Sequence, residues 1–174
     1  MPIDPRAKSP ERIVAPAPLP HVSRRALLRV KNPLPVPTTC RYCAGQVELV
    51  NNSQIYGREY GDWPFAYRCE DCKSYVGLHP DTDIPLGTLA TQQLRKDRNV
   101  SKDVFHKLKA KRGFTRSMAY EWLAGKMGIR VGECHFGWFD QEQCALALRV
   151  CSDGLTADGA MAKAFDQAQA RRRA

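Results

Sequence analysis

The chain has 174 residues, with 27 Lys and Arg against 18 Asp and Glu, a net charge of +9 and a pI near 9.4. That length suits one ordinary domain or a small module with extensions, and no apolar run approaches the roughly 18 to 20 residues of a transmembrane helix or resembles a signal-peptide core. A soluble, cytoplasmic protein with no membrane partner is expected, and the basic balance points to nucleic acid.

Nine of the twelve prolines fall within residues 1–37, in runs such as Ala15-Pro16-Ala17-Pro18-Leu19-Pro20. Proline at this density removes backbone donors and favours polyproline II, so a basic arm, extended or disordered, is expected over 1–37. Arg24, Arg25, Arg29 and Lys31 surround Ala26-Leu27-Leu28, a pattern compatible with a short basic helix formed on contact with a partner.

Two cysteine pairs follow, Cys40-Arg41-Tyr42-Cys43 and Cys69-Glu70-Asp71-Cys72, with no histidine between them. Two C-x-x-C pairs supply the four thiolates of a closed tetrahedral shell, so Cys40, Cys43, Cys69 and Cys72 are expected to hold one structural Zn²⁺ with no open position for a substrate. Seven cysteines, an odd number, fit a disulfide framework poorly. Thioredoxin-like chemistry would need a single pair at the start of a helix. Around the pairs the pattern is of short strands at 46–50, 65–68 and 75–78, with turn chemistry at Asn51-Asn52-Ser53 and a Gly- and aromatic-rich excursion over 55–64. In that excursion Trp63 and Tyr67 read as packing, and Arg58 as the residue available for contact.

Beyond Pro85 the periodicity becomes helical. Leu89, Leu94, Val104, Phe105 and Leu108 fit one buried stripe over 88–112, and Arg95, Arg98, Lys102, His106 and Lys109 recur on another face, with a possible break at 99–101. A second helix is expected from Thr115 to a terminator at Gly128. A third begins at a capping box, Asp140 with Gln143, and buries Cys144, Ala147, Leu148 and Cys151. These elements predict an α+β protein: a four-cysteine zinc ribbon at 38–87 and a compact segment of three or four helices at 88–153 packed on it, between the disordered Pro-rich arm and a weakly helical basic tail at 154–174.

The run from Cys40-Arg41-Tyr42-Cys43 through Tyr67-Arg68-Cys69 and Tyr75-Val76-Gly77-Leu78-His79-Pro80 to Ile84-Pro85-Leu86-Gly87, with Tyr120-Glu121-Trp122-Leu123 and Cys134-His135-Phe136-Gly137-Trp138-Phe139-Asp140, resembles the zinc-finger-containing domain family of bacteriophages and prophages, from residue 40 to about 151. The resemblance implies a phage-type zinc-binding protein whose ligands are the same four cysteines. It implies no reaction.

Charge is unevenly spread. Residues 40–87 carry four basic and seven acidic groups, whereas 88–116 carry nine basic and two acidic. The ribbon is therefore a scaffold, and Arg95, Arg98, Lys102, Lys107, Lys109, Lys111 and Arg112 are the expected contacts to DNA or RNA phosphates. A host protein is the alternative partner, reached through the acidic ribbon and the arm. A metal-dependent nuclease using Asp81 and Asp83 is a third reading, against the simpler one of a turn at 79–83. Cys134, His135, Cys144 and Cys151 lack the regular spacing of a second metal site. No nucleophile motif, phosphate loop or small-molecule site is evident, so no enzyme activity is expected.

Overall fold

Three short apolar-rich segments build an antiparallel meander in the order β1-β2-β3, from β1 (Val47–Asn51), β2 (Phe65–Cys69) and β3 (Tyr75–Gly77). The computed structural model describes residues 2–156, in two units that divide between Gln93 and Leu94. The register sets Val47 opposite Cys69, Leu49 opposite Tyr67, and Tyr67 opposite Val76. Val47, Tyr67, Val76, Leu78 and Leu89 are buried with Cys40 and Cys69, so the sheet's hydrophobic cluster and half of the cysteine set are one body. Beyond β3, Tyr75 and Ala90 exchange backbone hydrogen bonds of 3.2 and 3.1 Å, which covers an otherwise open sheet edge.

The turn after β1 leads into a single helical turn, α2 (Ser53–Tyr56), closed by Gly57 at φ 76. It needs glycine there, because an L side chain is strained in the left-handed region. Asn52, buried, ties down the rest of the excursion: its Nδ2 donates to the Tyr60 carbonyl at 2.9 Å and its Oδ1 accepts from the Tyr60 N–H at 3.0 Å.

The arm departs from the expectation of disorder. Asp4 caps a 3-10 turn at Pro5–Ala7, and Ser23 caps the short helix α1 (Arg24–Leu27). Ala7, Leu27 and Val30 are buried in a cluster with Ile84, and Leu19 joins the cluster under the sheet. Arg6 explains how the arm is held: its guanidinium donates to both oxygens of Asp83, at 2.7 and 2.8 Å, while Asp4 flanks it. A two-pronged pair of this kind fixes orientation as well as position. Asp81 meets His21 at 3.4 Å and Arg29 at 3.8 Å, and its carbonyl accepts from the Ser23 N–H. Proline density describes the arm's extended backbone correctly, but it conceals the apolar residues that give the arm something to bury.

The second unit is helical. α3 (Gln92–Lys111) runs without interruption, because Ser101 is fully buried and its hydroxyl donates to the carbonyls of Asp97 and Arg98 within the helix. Of the two readings that 99–101 allows, one helix or two, the structure has one. α4 (Arg116–Met127) starts at Thr115, whose Oγ1 accepts from the Met118 N–H, and stops at Gly128 with φ 68. α5 (Gln141–Thr156) opens on the expected capping box: the Gln143 N–H donates to Asp140 Oδ1 at 2.8 Å and the Asp140 N–H to Gln143 Oε1 at 3.1 Å. Cys144, Ala147 and Cys151 are buried, as is Gly154, where a methyl group would come within 3.0 Å of Trp122 and 3.1 Å of Leu108. Glycine inside a helix is costly, and here it permits close approach of the neighbouring side chains. The tail beyond Thr156 lies outside the described residues. No helix among them is long and apolar enough to cross a membrane.

Candidate metal centre

Each C-x-x-C pair folds into the same tight loop. In the first, the Cys40 N–H donates to the Gly45 carbonyl at 2.8 Å; in the second, the Cys69 N–H donates to the Ser74 carbonyl, also at 2.8 Å. The residue just before each acceptor is left-handed, Ala44 at φ 59 and Lys73 at φ 58. Two knuckles of one conformation therefore face each other, one ahead of β1 and the other between β2 and β3. Gly45 is where they meet most closely, since a side chain there would collide with Asp71 of the opposite knuckle.

The four Sγ atoms lie within 4.8 Å of one another. Cys40 and Cys72 are 3.5 Å apart, as are Cys43 and Cys69. A disulfide requires about 2.0 Å, whereas a tetrahedron with Zn–S bonds of about 2.3 Å has edges of about 3.8 Å. All four are free cysteines, and their spacing fits the second figure. Supporting contacts are in place as well. The Tyr42 N–H points at Cys40 Sγ at 3.5 Å, and the buried Ser74 hydroxyl lies 3.4 Å from Cys40 Sγ and 3.2 Å from Cys72 Sγ.

Electrostatics lead to the same ion. Burial opposes ionisation of Cys40, but Ser74 and the N–H groups of Tyr42 and Cys43 overcome it and bring the thiol down to about 6. Cys72 is lowered too, chiefly by Ser74. For Cys43 the Gly45 N–H favours the thiolate, but its sulfur neighbours outweigh that, Cys69 first, and push the thiol up to about 12. Sulfurs this close resist ionising together unless a cation sits among them. The donor set is four thiolates and the shell is closed, so the ion is one structural Zn²⁺ that joins the knuckles and supplies no reaction.

Sequence reasoning missed Ser74 and the left-handed pair Ala44 and Lys73. The shared offset of four residues from the first cysteine of each knuckle was the available clue. Among the described residues, no other group of three or more His, Cys, Asp or Glu is placed to share a metal. Cys134, Cys144 and Cys151 are buried thiols, and His135 stacks on Trp138 with centroids 5.2 Å apart. Asp81 and Asp83 are engaged by the arm.

The basic residues of α3 divide. Lys102 and Lys107 are exposed, and Arg95 and Lys109 half-buried. Arg98 is buried and its Nε donates to the Phe139 carbonyl at 2.9 Å, so it is not available to a phosphate. Its position follows the helix period, because Leu94, Arg98, Ser101, Phe105 and Leu108 are spaced four, three, four and three apart and form the buried stripe. Lys111 donates to the Leu155 carbonyl and Arg112 to the Gly154 carbonyl at 2.9 Å, and cations at the end of α5 stabilise its unpaired carbonyls.

Neither a curated protein nor a solved structure matches the chain. A family described as a zinc-finger-containing domain matches residues 36–154, from just before the first knuckle almost to the end of α5. The match spans both the tetrathiolate site and the helical unit, and the chain belongs to the zinc-finger-containing domain family.

Proposed function

We propose that this zinc-binding protein is a phage-type, cytoplasmic nucleic-acid-binding module or regulator, in which the metal holds an acidic ribbon as scaffold and α3 contacts phosphates of DNA or RNA. The observation that carries this reading is the basic excess of α3, seven basic residues against two acidic, whose lysines include the exposed Lys102 and Lys107. At 3.6 residues per turn, Arg95, Lys102 and Lys109 fall on one flank of α3, and Lys107 lies farther round. The test is binding to DNA and RNA oligonucleotides across a salt series, with Lys102→Glu and Lys107→Glu beside the native chain. Affinity should fall steeply with salt, and each lost phosphate contact should reduce the slope by about 0.7 to 0.9. Absent or salt-insensitive binding would refute the reading.

A second reading, a factor that binds and modulates a host protein, is favoured by one feature of the first unit. An apolar groove of about 240 Å³ is lined by Leu34, Val36 and Leu89, with Arg41 at its edge. Binding to a purified candidate partner that survives nuclease treatment and is lost in Val36→Asp would support it over the first.

A further inference from the structure

Phe105 of α3, Tyr120 of α4 and Phe136 of the segment before α5 form a ring cluster in the helical unit. Their centroids are 5.0 Å apart for Phe105–Tyr120, 5.3 Å for Phe105–Phe136 and 6.4 Å for Tyr120–Phe136. Such contacts fix three chain segments against one another, and therefore fix what stands on the rim of the cluster. Lys102 lies one helical turn before Phe105 and is exposed. Arg116, exposed at the start of α4, holds its guanidinium over the Tyr120 ring, 5.8 Å from the centroid. His135 neighbours Phe136 in sequence and stacks nearly parallel on Trp138, at 22°. Desolvation lowers the proton affinity of His135, and Arg116 and Lys102 lower it further, so both cations act on the same imidazole. No carboxylate among the described residues forms an ion pair with Lys102 or Arg116.

We infer that Lys102, Arg116 and His135, with Trp138 as a stacking face, form a binding site for a phosphate of a nucleic-acid strand. The inference rests on the nucleic-acid reading above and gives it a location: contact extends from the Lys102 flank of α3 to α4 and the segment before α5. Lys102 and Arg116, neither paired with a carboxylate among the described residues, complement an anion. A guanidinium and an ammonium cover its charge, and the His135 imidazole, whose proton affinity both cations lower, supplies a further donor. The flat His135–Trp138 pair beside it suits an unstacked base, which favours a single strand over a duplex.

The test uses the zinc-loaded full chain with two probes, fluorescently labelled dT12 and inorganic triphosphate. Arg116→Gln and Lys102→Gln should each weaken dT12 binding about three- to tenfold and reduce the salt slope by about 0.7. Arg149→Gln, at an exposed position on α5, should change it less than twofold. Triphosphate should shift the His135 ring resonances in the native chain and not in Arg116→Gln. Unchanged melting temperatures exclude misfolding as the cause. If dT12 binds and Arg116→Gln binds it equally well, the site is wrong and the broader reading survives. If triphosphate shifts His135 and dT12 does not bind, the site takes a free anion and the inference of a strand phosphate falls. If neither probe binds, this site is overturned, and the broader reading falls only if the DNA and RNA salt series also shows no binding.

Discussion

Arg98 separates a structural cation from a binding one, and replacing it with methionine tests that distinction. Methionine keeps the unbranched start of the stem and removes the guanidinium, and with it the hydrogen bond from Nε to the Phe139 carbonyl, 2.9 Å long. Phe139 is fully buried and Arg98 is 8 % exposed, so water does not readily replace the donor. A hydrogen bond from a charged group contributes about 1.5 to 3 kcal/mol, and an orphaned buried carbonyl costs a similar amount. Arg98→Met should therefore lose about 2 kcal/mol, read as a lower urea midpoint at unchanged slope in the zinc-saturated protein. Lys102→Gln, at an exposed site, should stay within about 0.5 kcal/mol. Oligonucleotide affinity should follow the reverse order, weakened by Lys102→Gln and unaffected by Arg98→Met under folding conditions. Native stability in Arg98→Met together with lost binding would refute the burial argument and return Arg98 to the contact surface.

Three further outcomes follow from the same geometry. Gly154→Ala should destabilise by about 1 kcal/mol net in thermal or urea melts, because overpacking against Trp122 and Leu108 outweighs the roughly 1 kcal/mol gained in helix propensity; a gain would show that the contact is looser. Ala44→Gly should stabilise the zinc-loaded protein by about 0.5 to 1 kcal/mol in urea melts, since a left-handed residue with a β-carbon costs about 1 to 2 kcal/mol and glycine's greater freedom in the unfolded chain offsets part of the relief. Burial pushes the thiols of Cys134 and Cys151 up to about 11 and 12, whereas unfolded thiols titrate near 8.5. Below about 8.5 both states hold these protons, and above it the unfolded chain releases them first, so stability should decline from there toward pH 11 by at most about 1.4 kcal/mol per pH unit per thiol. Urea midpoints at pH 8 and 10 check this, and Cys151→Ala should show a shallower decline.

Features carried by neighbouring residues were readable before any coordinates. Asp140 and Gln143 announce the start of α5, Thr115 and Gly128 bound α4, and two C-x-x-C pairs specify the metal site, because each signal is complete within a few residues. What escaped depends on partners distant in sequence. Arg6 finds Asp83 across 77 positions, and without that pairing a stretch with nine prolines reads as solvated chain. Residues 99–101 allow a helix break until the burial of Ser101 shows its hydroxyl bonding inside α3. Arg98 is instructive in a different way: its place in the four-three repeat was visible, but its residue type suggested the surface, and the carbonyl that accepts it is 41 residues away. The uneven charge was plain in the sequence, yet the division between the exposed cations Lys102 and Lys107 and those closing α5 required the ends of the helices to be located.

The tetrathiolate centre is the claim on which the first unit's fold depends, and metal content measured together with folding tests it directly. Elemental analysis of the purified chain should give one zinc per molecule. Chelation, or Cys69→Ser, should melt the three-stranded ribbon and release the buried Tyr67 and the partly buried Trp63 packed against its cluster, read by near-UV circular dichroism and fluorescence. A metal-free Cys69→Ser protein that keeps the native spectra and melting temperature would contradict the account.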